Sequence, residues 1–310
     1  MKGVILAAGK GSRLYPVTRI VPKPILPIAN RLTIEYAFDR LKGMEIHDIC
    51  IVVGENEPLM RQALGDGSQF GVSLSYVVQE DPKGLAHAVG FAKDFVGDDS
   101  FVLYLGDAVY SEGFEKHAKR FLESGCANLN IVKPVDDPSR FGVANVEGDR
   151  IVKLVEKPKH PESNLAMAGM YFFSPKIWKV LPDLKPSARG EYEITDAIQT
   201  LIDNGETVLA GIYEAVWFDT GTLDSYLETS AFLVNGAVLV DPSATLTGAA
   251  GKDVVIGAGA VVECESIEDS VVLPGARVRV SGKICHAILG GPVSSEGDID
   301  SSILHGDYKE

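Results

Sequence analysis

Positive charge is scarce in this chain. Its 29 Lys and Arg face 43 Asp and Glu, a net of −14. That excludes general electrostatic attraction to nucleic acid or to an anionic membrane. Phosphate binding must then rest on local cations and backbone N–H groups. Cysteine pairs are also missing. Cys50, Cys126, Cys264 and Cys285 form no C-x-x-C motif, and they read as reduced thiols of a cytoplasmic chain. No apolar run reaches the ~20 residues of a membrane span, and no signal peptide is read at the N-terminus. The six histidines have no metal-ligand spacing. No Ser–His–Asp arrangement is found either. Two phosphate-binding fingerprints are absent: Leu14 stands where the Rossmann pattern needs its third glycine, and no Walker A loop occurs. Both absences point away from dehydrogenases and P-loop NTPases.

What is present is an ordinary globular composition, 45% apolar and 23% charged over 310 residues, with room for one large domain or two. Apolar runs at 3–8, 49–53, 74–78 and 101–105 predict buried strands. Helical spacing marks 33–43, with Thr33 as a candidate cap, as well as 85–95 and 194–204. Further strand-like segments lie at 141–146, 151–155 and 168–173. The alternation predicts an α/β domain: a Rossmann-like, mostly parallel mixed sheet with helices on both faces. After residue 236 the texture changes. Short aliphatic pairs and triplets (Val254-Val255-Ile256, Val271-Val272-Leu273) recur between Gly, Ser and Asp. A short C-terminal left-handed β-helix of hexapeptide type produces this pattern. The expected domains are 1–236 and 237–310.

The first strand runs straight into Leu6-Ala7-Ala8-Gly9-Lys10-Gly11-Ser12-Arg13-Leu14. Gly9 and Gly11 allow a tight turn with N–H groups facing a ligand, and Arg13 adds a planar fork suited to phosphate oxygens. At the carboxyl end of a first strand, such a loop lies where open α/β sheets bind ligands. An ordinary strand-to-helix turn with a surface Arg fits this segment equally well.

The blocks that follow carry more. They are Pro22-Lys23-Pro24, Gln79 with Gly84-Leu85-Ala86-His87-Ala88, Leu105-Gly106-Asp107 and Phe141-Gly142-Val143. Then come Glu156-Lys157-Pro158, Ala168-Gly169-Met170-Tyr171, Arg189-Gly190-Glu191 and Trp217-Phe218-Asp219-Thr220-Gly221. In this order, over about residues 2–230, they resemble the sugar-1-phosphate nucleotidylyltransferase family, and within it the thymidylyl branch in its longer form. The resemblance implies transfer of a nucleotidyl group to glucose 1-phosphate from dTTP or UTP, giving dTDP-glucose or UDP-glucose and pyrophosphate by direct in-line attack. Two alternatives stand beside it: a mannose-1-phosphate guanylyltransferase, and a catalytically silent homologue that binds nucleotide sugars.

The same resemblance distributes roles. Asp107 and Asp219 would hold Mg²⁺. Arg13 and Lys23 would neutralise the triphosphate and pyrophosphate, and Lys157 the sugar phosphate. Leu6, Ala7, Gly9, Gly11, Gln79 and Gly84 would hold the nucleotide. Gly142, Glu156, Gly169 and Tyr171 would shape the sugar pocket. Glu191 is either a sugar contact or a carboxylate at a helix N-terminus. The partners are small molecules, a nucleoside triphosphate and a sugar 1-phosphate, with no nucleic acid and no membrane, and a homo-oligomer is expected. Where the thymidylyl branch usually has Asn after the first metal Asp, this chain has Ala108.

Overall fold

A computed structural model describes residues 1–306. The chain divides into two compact units. One comprises Met1–Gly9 and Ala37–Trp217; the other comprises Lys10–Tyr36 and Phe218 onward.

The first unit is built on a nine-stranded sheet. Its order is Ser73–Val78, Asp48–Val53, Lys2–Leu6, Phe101–Leu105, Leu165–Phe173, Asn128–Pro134, Val208–Ile212, Arg150–Glu156, Gly142–Glu147. The first four strands are parallel. Their unbroken apolar runs suit burial on both faces. One face packs Val4, Leu6, Val52 and Leu103 under the helices Leu85–Gly90 and Lys93–Val96, and the same core continues to Ala197 and Leu201 of Ile194–Asp203. On the other face Leu41 and Ile46 crowd Gly3, and Phe121 of Glu115–Ser124 meets Phe172.

Beyond the fourth strand the sheet is mixed, so the expected mostly parallel sheet holds only for that first part. Arg150–Glu156 folds back on Gly142–Glu147 through a two-residue turn, and so short a link can join only antiparallel strands. The helix expected over 85–95 is two short helices, interrupted at Phe91 and Ala92. Thr33 does not cap its helix, Thr33–Gly43. Its buried hydroxyl donates to the Leu26 carbonyl at 2.6 Å, while Glu35 reaches back to the Leu32 N–H.

The second unit is a stack of parallel strands. Val238 pairs with Val254, Val254 with Ser270, and Thr245 with Val261, each about 16 residues on. Val254, Ile256, Val262, Ile267, Val272, Ile284 and Leu289 fill its core. Every described ladder among its strands after residue 237 is parallel, whereas Pro27–Ile28 and Arg31–Leu32 of segment 10–36 pair antiparallel. The helix Leu223–Val234 packs along the stack, and so do parts of segment 10–36. Asn30 Nδ2 donates to the Ile256 carbonyl at 3.2 Å, and the Tyr226 hydroxyl donates to the Pro27 carbonyl.

Candidate active site

In the first unit the strand ends carry the nucleotide candidates. The Ala7 N–H donates to Val52 at 2.8 Å, and its carbonyl accepts from Asn56 at 2.9 Å. The Leu6 carbonyl accepts from the Gly106 N–H. What these two residues still offer a base is a second lone pair on each carbonyl. Gly9 meets nothing within 4 Å at its Cβ position, so this conformation does not demand glycine there.

Gln79 is only 3% exposed. Its Nε2 lies 2.8 Å from His87 Nδ1. The amide donates and the imidazole accepts, which fixes the Gln79 rotamer and leaves its Oε1 and second N–H for another partner. A neutral His87 is required. Burial, reinforced by Lys83, holds its pKa below the usual histidine range against the opposing pull of Asp81. Gly84 has φ 110°, and a Cβ there would meet the Tyr192 backbone at 2.6 Å. Asp107 lies in the turn between Phe101–Leu105 and Ala108–Tyr110. Among the described residues no group of three or more His, Cys, Asp or Glu side chains forms a ready-made metal cage.

The sugar candidates converge on Glu156. Gly142 pairs with it across the ladder. A Cβ on Gly142 would stand 2.5 Å from Met167 Sδ, 2.8 Å from Thr195 Oγ1 and 3.2 Å from Glu156 Oε2. Glu156 Oε2 accepts from the Thr195 hydroxyl at 2.6 Å. Lys157 follows in the left-handed region, φ 42°, with Nζ 3.8 Å from Glu156 Oε1. Gly169 also has positive φ and backs onto Leu105. Tyr171 is buried, and burial followed by the Glu156 charge raises its pKa.

Arg189, Thr195 and Glu193 surround this carboxylate and were not singled out from the sequence. Arg189 Nη1 lies 3.4 Å from Glu156 and 3.3 Å from Glu193, and its Nη2 lies 3.7 Å from Glu191. Glu193, not Glu191, precedes the helix Ile194–Asp203, so Glu191 is not a helix-end carboxylate. Burial raises the Glu193 pKa. The signal was on hand: Arg189 opens the same block as Glu191, and a lone Arg among three glutamates is a natural bridge.

In the second unit the phosphate candidates gather. Gly11 has φ 62°, and its carbonyl accepts from the Thr18 hydroxyl at 2.8 Å. Lys23, between Pro22 and Pro24, is only 8% exposed. Its Nζ lies 3.8 Å from Asp219 Oδ1. Gly221 makes room for Arg13: a Cβ there would stand 2.5 Å from Arg13 Nη2 and 3.0 Å from Asp219 Oδ1. Arg13, Lys23, Asp219 and Gly221, taken from both ends of the sequence, thus form one cluster.

Comparison with known proteins places the chain in a family. The nucleotidyl transferase family model matches residues 2–236. A low-salt glycan biosynthesis nucleotidyltransferase, Agl11, of Haloferax volcanii is 41% identical, with 94% of this chain and 92% of that one covered. A glucose-1-phosphate thymidylyltransferase of Streptomyces antibioticus is 38% identical, covering 96% and 83%. Among solved structures, a Bacillus anthracis chain provisionally assigned as a glucose-1-phosphate thymidylyltransferase, crystallised with sucrose, superposes with TM-score 0.71. It is 39% identical and covers 75% of this chain and 94% of its own. With its ordered blocks and this match over most of its length, the chain belongs to the nucleotidyl transferase family and is a sugar-1-phosphate nucleotidyltransferase.

Proposed function

We propose that the chain joins glucose 1-phosphate to dTTP, or to UTP, releasing pyrophosphate. A sugar-phosphate oxygen attacks the α-phosphorus in line; the new P–O bond forms as the bond to pyrophosphate breaks. The nucleophile arrives ionised on the substrate, so no protein base is required. Positioning and charge neutralisation do the work.

The cluster of Arg13 and buried Lys23 beside Asp219 carries this reading. Both cations neutralise the triphosphate and the departing pyrophosphate. Lys157 meets the sugar phosphate, and Glu156, oriented by Thr195, accepts from sugar hydroxyls. Gly142 and Gly169 leave room for the ring, with Tyr171 behind it. Gln79, held by His87, reads the imide edge of the pyrimidine alongside the Leu6 and Ala7 carbonyls, while Gly9, Gly11 and Gly84 admit the nucleotide backbone.

Asp107 and Asp219 suit Mg²⁺, which takes hard carboxylates and phosphate oxygens and needs few protein ligands. When bound, the ion supplies Lewis-acid neutralisation of the phosphates. We also infer a catalytic domain over 1–236, a second domain over 237–310 whose described strands, up to residue 306, wind with a left hand, and a homo-oligomer, the last supported by exposed Phe232, Val238 and Leu239. Four free thiols support a cytoplasmic setting.

Pyrophosphate release with Mg²⁺ tests the reaction, using dTTP, UTP, GTP, CTP and ATP against glucose, N-acetylglucosamine, galactose and mannose 1-phosphates. Turnover of glucose 1-phosphate with dTTP or UTP is expected. A GTP and mannose 1-phosphate preference would replace this substrate assignment, and a folded but inactive chain would reject it.

A further inference from the structure

The helix Leu223–Val234 is separated from Asp219 by only Thr220, Gly221 and its capping residue Thr222. One column of the strand stack holds both ends of this helix. Asp253, Asp269, His286 and Ser301 sit at equivalent positions on successive turns of the stack. All four have positive φ, 58°, 41°, 50° and 47°. Past the helix C-terminus, Asp253 Oδ1 accepts the Gly236 N–H at 2.9 Å. In the first helical turn, Asp224 Oδ1 lies 2.9 Å from His286 Nε2. The other ring nitrogen, Nδ1, lies 2.5 Å from Asp269 Oδ2. Ionised carboxylates only accept, so both ring nitrogens must donate, and only the imidazolium can do that.

The surroundings favour that charge. Hydrogen bonding to Asp269, then to Asp224, raises the His286 pKa against partial burial. Glu268 and Asp300 lie around the adjacent Cys285. The helix Val17–Ile20, which packs on the same strand, contributes Arg19 as its charged residue.

We propose that His286 is a positioning residue for nucleotidyl transfer: its ring ties the first turn of Leu223–Val234 to the stack and so fixes Asp219 and the space Gly221 leaves for Arg13. This rests on the roles proposed above for Asp219 and Arg13. On losing its proton, one ring nitrogen turns a lone pair toward a carboxylate, and that bond becomes a repulsion. The tether is therefore complete below the ordinary histidine range and is lost as pH rises through the raised pKa.

The test uses the full chain and the variants His286→Ala, His286→Arg and Asp224→Ala, the last at an exposed position. At low pH His286→Ala and Asp224→Ala should lower kcat roughly three- to tenfold. Their ratio to the native chain should return toward one as pH rises, because the native tether also opens. His286→Arg, charged throughout, should exceed the native chain at high pH. Hydrogen exchange supplies a readout independent of turnover. His286→Ala should expose amides 223–226 and leave Phe101–Leu105 unchanged. Variant ratios flat with pH, or unchanged exchange in that first turn, would overturn the tether. Failure of the native chain to turn over would reject the reaction instead, and the exchange result would still judge the tether.

Discussion

In the sheet unit, the candidate polar side chains are held by other side chains. Thr195 and Arg189 hold Glu156, and His87 holds Gln79. In the stack unit, the chain itself does more of the holding. Lys23 is gripped between two prolines, Arg13 follows a left-handed glycine, and Asp219 leads into a capped helix. The two arrangements fail differently. Removing one partner in the first leaves a half-buried polar group unsatisfied. The second depends on the strand stack beneath it, through contacts such as that of His286 with Asp224. The C-terminal strands thus pack against the segments that carry the residues proposed to bind phosphate.

The sharpest break in this comparison is removal of charge. Lys23→Met should lower kcat by about 10²–10³-fold with the fold intact by circular dichroism. Near-native turnover would take the stack-borne cations out of the chemistry. Next comes the support itself. Leu289→Ala, in the stack core, should cost about 2–4 kcal/mol by denaturant unfolding, like Leu103→Ala in the sheet. Heating the Leu289→Ala chain should abolish pyrophosphate release as the stack melts; activity outlasting that transition would make the stack a mere appendage.

A finer cut separates the substrates. Gly142→Ala places a methyl against Thr195 and Glu156, and should raise KM for the sugar phosphate roughly tenfold. Gly221→Ala places one against Arg13, and should act on the nucleotide instead. Equal effects on both constants would erase the division of labour.

The smallest effect is in the pH dependence of stability, and its sign differs between the units. His87 has a lowered pKa, so its contribution is present above the usual histidine value and is lost as pH falls below it. His286 has a raised pKa, so its contribution is present below that value and is lost as pH rises. Both rings are partly exposed, so screening holds each contribution to well under ~1 kcal/mol. Melting curves from acid to alkaline pH should flatten on the acid side in His87→Gln and on the alkaline side in His286→Gln. The same side in both would contradict the assignment.

By itself the sequence determined the four parallel strands of the first sheet, through apolar runs, and the family, through short blocks in fixed order; Asn128–Pro134 and Val208–Ile212 of the same sheet were not read from it. It determined the change of texture after residue 236 as well, because a parallel stack repeats its inward aliphatic residues at short intervals. It did not show that segment 10–36 belongs with Phe218 onward, since no local pattern records which distant surface a loop will bury. Thr33 looked like a cap because its type and position suit one, but tertiary burial gave its hydroxyl to Leu26. Arg189 and His286 were visible as residues and silent as partners. Glu156 lies 33 residues before Arg189, and Asp224 lies 62 residues before His286. Charge pairing over such separations is decided only when packing brings the groups within hydrogen-bond reach.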